Sequence, residues 1–68
     1  MESIGKRLKR LRKLMGLSQK EVAKLVNVQR ETISRWERES HVPQQICVDK
    51  LEEILRNWET LIGMSNKF

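Results

Sequence analysis

A helix stop and a helix start share the six residues Gly16-Leu17-Ser18-Gln19-Lys20-Glu21, and that junction constrains the fold more than any other stretch of the chain. Glycine adopts the left-handed conformation that commonly closes a helix. Ser18 and Glu21 stand at capping-box spacing: the serine oxygen accepts a backbone N–H three residues on, and the glutamate carboxylate accepts the serine N–H in return. A chain that closes one helix and opens another so quickly folds into short helices set at an angle. With 68 residues there is room for one domain, residues 1–68, and one modest core. Cys47 has no second cysteine to pair with, and His41 is the only histidine, so neither a disulfide nor a Cys/His metal site can supply stability. Helix packing, helped by self-association, has to do so.

The apolar spacing is helical throughout. Ile4, Leu8, Leu11 and Met15 form one stripe of a 3.6-residue period, which predicts a first helix over about Ser3 to Met15, closed by Gly16. Val22, Ala23 and Val26 give a second, short buried face, with Ala23 small where helices approach closely. Asn27 ends it, since asparagine tolerates positive φ. A third helix over about 29–38 buries Ile33 and Trp36, with Val28 in the turn before it. Its other face carries Gln29, Arg30, Glu31, Ser34 and Arg35. Gln29 is a poor cap compared with serine or threonine. A loop from Arg38 to Val42 leads to Pro43, which suits the first position of a fourth helix. Val48, Leu51, Leu55, Trp58 and Ile62 then recur at helical spacing, flanked by Cys47, Ile54 and Leu61. One helix of roughly 18 residues or two shorter ones with a bend satisfy this pattern equally. Met64 to Phe68 reads as a tail. Cys47 reads as a small core or interface filler.

A capped short helix, a tight turn and a second short helix with a polar outer face describe a helix-turn-helix, here about residues 18–38. The charge distribution points the same way. Residues 1–39 hold eleven Lys/Arg against five Asp/Glu, and residues 40–68 hold three against four. A basic front and a near-neutral back imply a surface for a polyanion joined to a separate packing surface. No apolar run reaches the roughly 18 residues of a membrane span, and no signal peptide is visible, which places the chain in a reducing cytoplasm. The sequence holds no nucleophile–base pair, metal set or phosphate loop, so it does not read as an enzyme. It shows no cofactor motif and no small-molecule site.

The segments Ile4-Gly5-Lys6-Arg7-Leu8, Leu11-Arg12-Lys13, Gly16-Leu17-Ser18-Gln19, Thr32-Ile33-Ser34-Arg35-Trp36-Glu37-Arg38 and Pro43 resemble the phage repressor and Cro type of helix-turn-helix regulator. The resemblance spans about residues 4–62. It implies an all-α, four- to five-helix, lambda-repressor-like domain that binds double-stranded DNA sequence-specifically as a transcriptional regulator, a repressor, with helix 29–38 in the major groove. Antitoxins and protein-binding adaptors share this fold and form the alternative. By the resemblance Arg30, Glu31 and Arg35 read bases, with Gln29 and Ser34 at their margins. Gln19 bonds a phosphate and braces the recognition helix, and Arg12, Arg38, Ser40 and His41 are the further phosphate candidates. Arg12 and Glu37 match a pair that forms a partly buried salt bridge; an exposed pair of little energetic weight is the other reading. Asn27 and Glu39 depart from the family's usual glycines.

The chemistry of the side chains adds to this. Arginine reaches guanine O6 and N7 with two parallel donors, so Arg30 and Arg35 predict guanines, while Glu31 either accepts from cytosine or orients a neighbouring arginine. One short helix offers few base contacts, which predicts a homodimer on a palindromic operator. The stripe in residues 44–62 is broad for three short helices to cover. Leu55, Trp58, Leu61 and Ile62 are therefore the candidates for the contact between subunits.

Overall fold

Ser3 opens the first helix by accepting the Lys6 N–H at 3.2 Å, and the chain then alternates capped helices with short closures. The computed structural model describes residues 2–65, which form α1 (Ile4–Leu14), α2 (Gln19–Val26), α3 (Arg30–Glu37) and α4 (Gln45–Ser65) and contain no strand. Ser18 and Glu21 form the complete capping box at the start of α2. Gln29 precedes α3 without a side-chain cap bond. Ser3 and Met15 flank α1 as its caps.

The three short helices end in one and the same way. Leu17 N donates to the Arg12 carbonyl, Val28 N to Ala23 and Ser40 N to Arg35, at 2.9–3.0 Å. Each bond closes a six-residue loop around a left-handed residue, the Schellman arrangement that satisfies carbonyls orphaned at a helix end. The left-handed residues are Gly16 (φ 72°), Asn27 (φ 58°) and Glu39 (φ 62°). Only the first is glycine. Asparagine visits this conformation readily, whereas at Glu39 the side chain makes it costly.

One core forms from Leu8 and Leu11 of α1, Val22, Ala23 and Val26 of α2, Ile33 and Trp36 of α3, and Leu51, Leu55 and Trp58 of α4. The first and third helices cross at Gly5. A Cβ there would overlap the Trp36 carbonyl oxygen and lie 3.0 Å from its carbon, so glycine is what lets the two backbones meet.

Residues after α3 depart from the expectations in several respects. Pro43 lies buried ahead of α4 and not in its first turn, which begins with the Val48 N–H donating to the Gln44 carbonyl. From Gln45 to Ser65 the helix is unbroken, which excludes the two-helix reading and gives four helices among the described residues. It passes through Met64 and Ser65, where a tail was expected; residues 66–68 lie outside the described residues. Leu55 and Trp58, expected between subunits, are 0% and 7% exposed because the single chain buries them. The groove left by the three short helices accepts more of the apolar stripe than its breadth suggested.

Candidate nucleic-acid interface

Helix α3 divides sharply into two faces. Ile33, Trp36 and Glu37 point inward and are buried, while Gln29, Arg30, Glu31 and Arg35 are exposed and Ser34 is half-buried. Val22 and Ala23 seat it from α2, and the close crossing at Gly5 seats it from α1. Its outer side chains thus project from a helix whose back is held on two sides.

Behind that face lies a charged centre. Arg12 presents two parallel donors to Glu37: Nε to Oε2 at 2.7 Å and Nη2 to Oε1 at 3.0 Å. The remaining nitrogen, Nη1, donates to the Leu17 carbonyl at 2.9 Å. The Glu37 side chain is 2% exposed and that of Arg12 12%. A planar fork matched to a carboxylate is the geometry in which arginine pairs best under desolvation. The hydrogen bonds to Glu37 raise the Arg12 pKa further. Each guanidinium nitrogen makes a hydrogen bond inside the protein, which ties Arg12 to the structural role.

Gln19 extends this centre to the surface. Its Nε2 donates to Glu37 Oε1 at 3.1 Å, and its Oε1 accepts from Arg30 Nη1 at 3.5 Å. Arg30 Nη2 lies 3.7 Å from Glu31 on the same helix. Arg35, by contrast, pairs with no carboxylate among the described residues. Beyond α3, Arg38, Ser40 and His41 are exposed. Arg38 Nε donates to the Ser34 carbonyl at 3.4 Å, and Ser40 Oγ donates to the Arg35 carbonyl at 3.2 Å. Glu39 sits among them, 3.9 Å from Lys6 Nζ.

Two arginines on the basic face of α1 are tied to carboxylates. Arg7 bridges to Glu52 at 2.7 Å and to Glu59 at 2.6 Å. Those hydrogen bonds raise the arginine pKa and lower that of Glu59. Arg10 forms a two-point pair with Glu2 at 2.9 Å. The Arg7 clamp was not anticipated. Its signal was present: Glu52 and Glu59 are seven residues apart on one side of α4, opposite a basic helix. Lys9, Lys13, Lys20, Lys24, Arg35 and Arg38 keep exposed charges outside any ion pair among the described residues.

Cys47 is half-buried against the core. Among the described residues no group of three potential metal ligands comes together, and no helix is long and apolar enough to cross a membrane.

The order of helices, the capped start of α2, the tight turn at Asn27 and the polar outer face of α3 define an all-helical helix-turn-helix protein. A helix-turn-helix family model matches residues 8–57, well over half of the chain. The chain belongs to this family, the phage repressor and Cro type of helix-turn-helix, whose members are DNA-binding regulators of transcription and not enzymes. Searches among curated proteins and among solved structures returned no match.

Proposed function

We propose that this protein is a sequence-specific repressor that docks α3 in the major groove of double-stranded DNA and works in the cytoplasm as a homodimer on a palindromic operator. The observation that carries the reading is the two-sided character of α3. Its inner face is locked by Ile33, Trp36 and the buried Glu37, while Arg30 and Arg35 stand exposed on the outer face. Arginines held on a fixed helix can meet guanine edges with paired donors. Gln29 and Ser34 flank them. Glu31, 3.7 Å from Arg30, favours the orienting role over a direct cytosine contact. Gln19, Arg38, Ser40 and His41 border this face on the side that would follow the phosphate backbone.

Two copies related by a two-fold axis would place their recognition helices about 34–36 Å apart, one turn of the duplex. With Leu55 and Trp58 committed to the core, the contact between copies falls to the end of α4. Leu61 is 52% exposed there, and Ile62 is half-buried. The slight negative balance of residues 40–68 avoids the repulsion that two basic faces would meet.

Selection of bound duplexes from a random pool tests the proposal. The expected product is a palindromic consensus containing guanines, with half-sites one turn apart. Arg30→Ala and Arg35→Ala should each relax preference at one base pair per half-site, at a cost of about 1–3 kcal/mol. Weak binding without any consensus would refute the reading and favour a protein-binding adaptor of the same fold.

A further inference from the structure

His41 and Val42, in the loop after α3, line two hollows whose walls differ in charge. The first, of about 240 Å³, lies between α3 and the start of α4. Val28, Trp36, Val42 and Cys47 make most of its wall apolar, and Arg35 and His41 bring N–H donors to it. Among the described residues no aspartate or glutamate lines it. The second hollow, of about 230 Å³, shares Trp36, His41 and Val42 but carries Glu39 in its wall. Val42 is 85% exposed, an apolar side chain left to water beside a concave apolar surface. Arg35 is exposed as well and pairs with no carboxylate among the described residues. An apolar concavity with a few converging polar groups is the make-up of a small-molecule site.

We propose that the first hollow binds a small organic carboxylate, with its apolar body against Trp36 and Cys47 and its oxygens on Arg35. The guanidinium offers two parallel donors, which match a carboxylate, and the His41 ring supplies a further N–H. A neutral apolar molecule would leave Arg35 unanswered, and a bare inorganic anion would leave the apolar wall uncovered. Size limits the body. The hollow is smaller than the roughly 300–1,000 Å³ that hold drug-sized ligands, so it takes a single ring or a short branched chain. In the second hollow Glu39 repels the same molecule, which separates two cavities of similar size. The consequence for DNA rests on the proposed function. There Arg35 reads a base, and a guanidinium held by a carboxylate in the hollow is withdrawn from a guanine edge. Ligand and operator compete for one side chain, so the ligand acts as an inducer, and each weakens the other by the same factor.

Benzoate is the probe, set against neutral benzamide and inorganic phosphate in nitrogen–proton NMR titrations of the DNA-free protein. Benzoate should shift the signals of Val28, Thr32, Trp36 and Cys47 to saturation. It should bind about three- to tenfold more tightly than benzamide, the difference between a charged and a neutral hydrogen bond, and more tightly than phosphate. Val42→Asp changes an exposed side chain, which leaves the helices in place, and sets a carboxylate beside the hollow. It should abolish the preference for benzoate over benzamide, as should Arg35→Ala. No shift at these residues, equal affinity for benzoate and benzamide, phosphate as tight as benzoate, or shifts that spread over the exposed lysines without saturating would each overturn the site. The second measurement is operator titration in benzoate against sodium chloride of equal ionic strength, since salt alone weakens DNA binding. At ten times its dissociation constant benzoate should weaken operator binding about tenfold, as for two ligands that exclude each other. A saturated hollow with operator binding unchanged would overturn the competition. A protein that selects no consensus overturns the proposed function and the inducer role, while the titrations of the DNA-free protein still decide the site.

Discussion

Replacing Gly5 by alanine sets two effects of opposite sign against each other, and the structure decides between them. In an open helix the change should stabilise by about 0.8–1 kcal/mol, because alanine loses less backbone entropy than glycine. At Gly5 the added methyl meets the Trp36 carbonyl oxygen, with the carbonyl carbon 3.0 Å away. A carbon and a carbonyl oxygen rest at about 3.3–3.6 Å, so α1 and α3 must part by about 1.3–1.6 Å. The obstacle is helical backbone and cannot turn aside as a side-chain tip could. Forcing extra volume into a packed contact costs about 1–3 kcal/mol, and a rigid partner puts this site at the upper end. The net expectation is a loss of about 1–2 kcal/mol, which in a domain of this size lowers Tm by about 5–15 °C. Because the displaced element is α3, operator affinity should fall by more than the loss of folded protein explains. Thermal melts by circular dichroism, paired with operator titrations well below Tm, measure both. An alanine variant as stable as the parent, or more stable, would show that the helices do not cross as closely as described and would refute the argument.

Four further outcomes are expected. Glu37→Ala leaves the buried Arg12 charge without a carboxylate and should cost about 3–5 kcal/mol, read by chemical denaturation; a parent-like midpoint would mean that the pair contributes nothing. Glu39→Gly relieves a left-handed residue (φ 62°) and removes a negative charge beside Arg38 and Ser40. It should therefore raise Tm by several degrees at a gain of about 1 kcal/mol and tighten binding to operator and random DNA alike; weaker binding would place Glu39 away from the phosphate track. The hydrogen bond from Arg7 holds Glu59 below the ordinary glutamate value of 4.5, so its contribution is complete above that pH and is lost as pH falls below it. The Tm difference between the parent and Glu59→Gln should accordingly be largest near neutrality and shrink through acid pH, and a constant difference would show that the Arg7 clamp does not form in solution. Leu61→Glu should lower dimer affinity and operator binding while leaving helix content intact, with any fall in Tm disappearing at concentrations where the parent is itself monomeric; sedimentation showing a dimer as tight as the parent's would move the contact elsewhere.

The local grammar of the first three helices was written in the sequence. Ser3, Ser18, Gly16 and Asn27 act on the backbone within a few residues of themselves, so their effects follow from spacing alone, and even the weakness of Gln29 as a cap is visible in the structure. The close crossing at Gly5 was less accessible. A mid-helix glycine signals that something approaches, but not which backbone does. The clamp of Arg7 on Glu52 and Glu59 joins residues 45 and 52 positions apart, beyond the reach of any local rule. The division of α4 between core and surface failed for a related reason. Periodicity shows that Leu55, Trp58, Leu61 and Ile62 lie toward one side, but not how wide a groove α1, α2 and α3 leave open. The binding face was readable as a set of residues on α3. Of its internal wiring, the Arg12–Glu37 pair and a bracing Gln19 came with the resemblance, while the bond from Gln19 to Glu37 depends on how α2 and α3 pack.

The unbroken course of α4 bears on how strictly an operator must be spaced. Its 21 residues make a rod of about 31 Å at 1.5 Å per residue, anchored in the core by Leu51, Leu55 and Trp58 and by the Arg7 clamp. In the proposed homodimer, a contact at its far end is tied to Arg30 and Arg35 through packed helices with no hinge between them. Such a dimer works as a caliper with a single setting. One extra base pair between half-sites displaces the second by about 3.4 Å and turns it by about 34–36° around the duplex axis, and a rigid frame can follow neither movement. The operator should therefore tolerate a changed base more readily than a changed interval. A binding partner that bends α4 or breaks the anchor would alter the permitted interval without touching a residue that reads DNA.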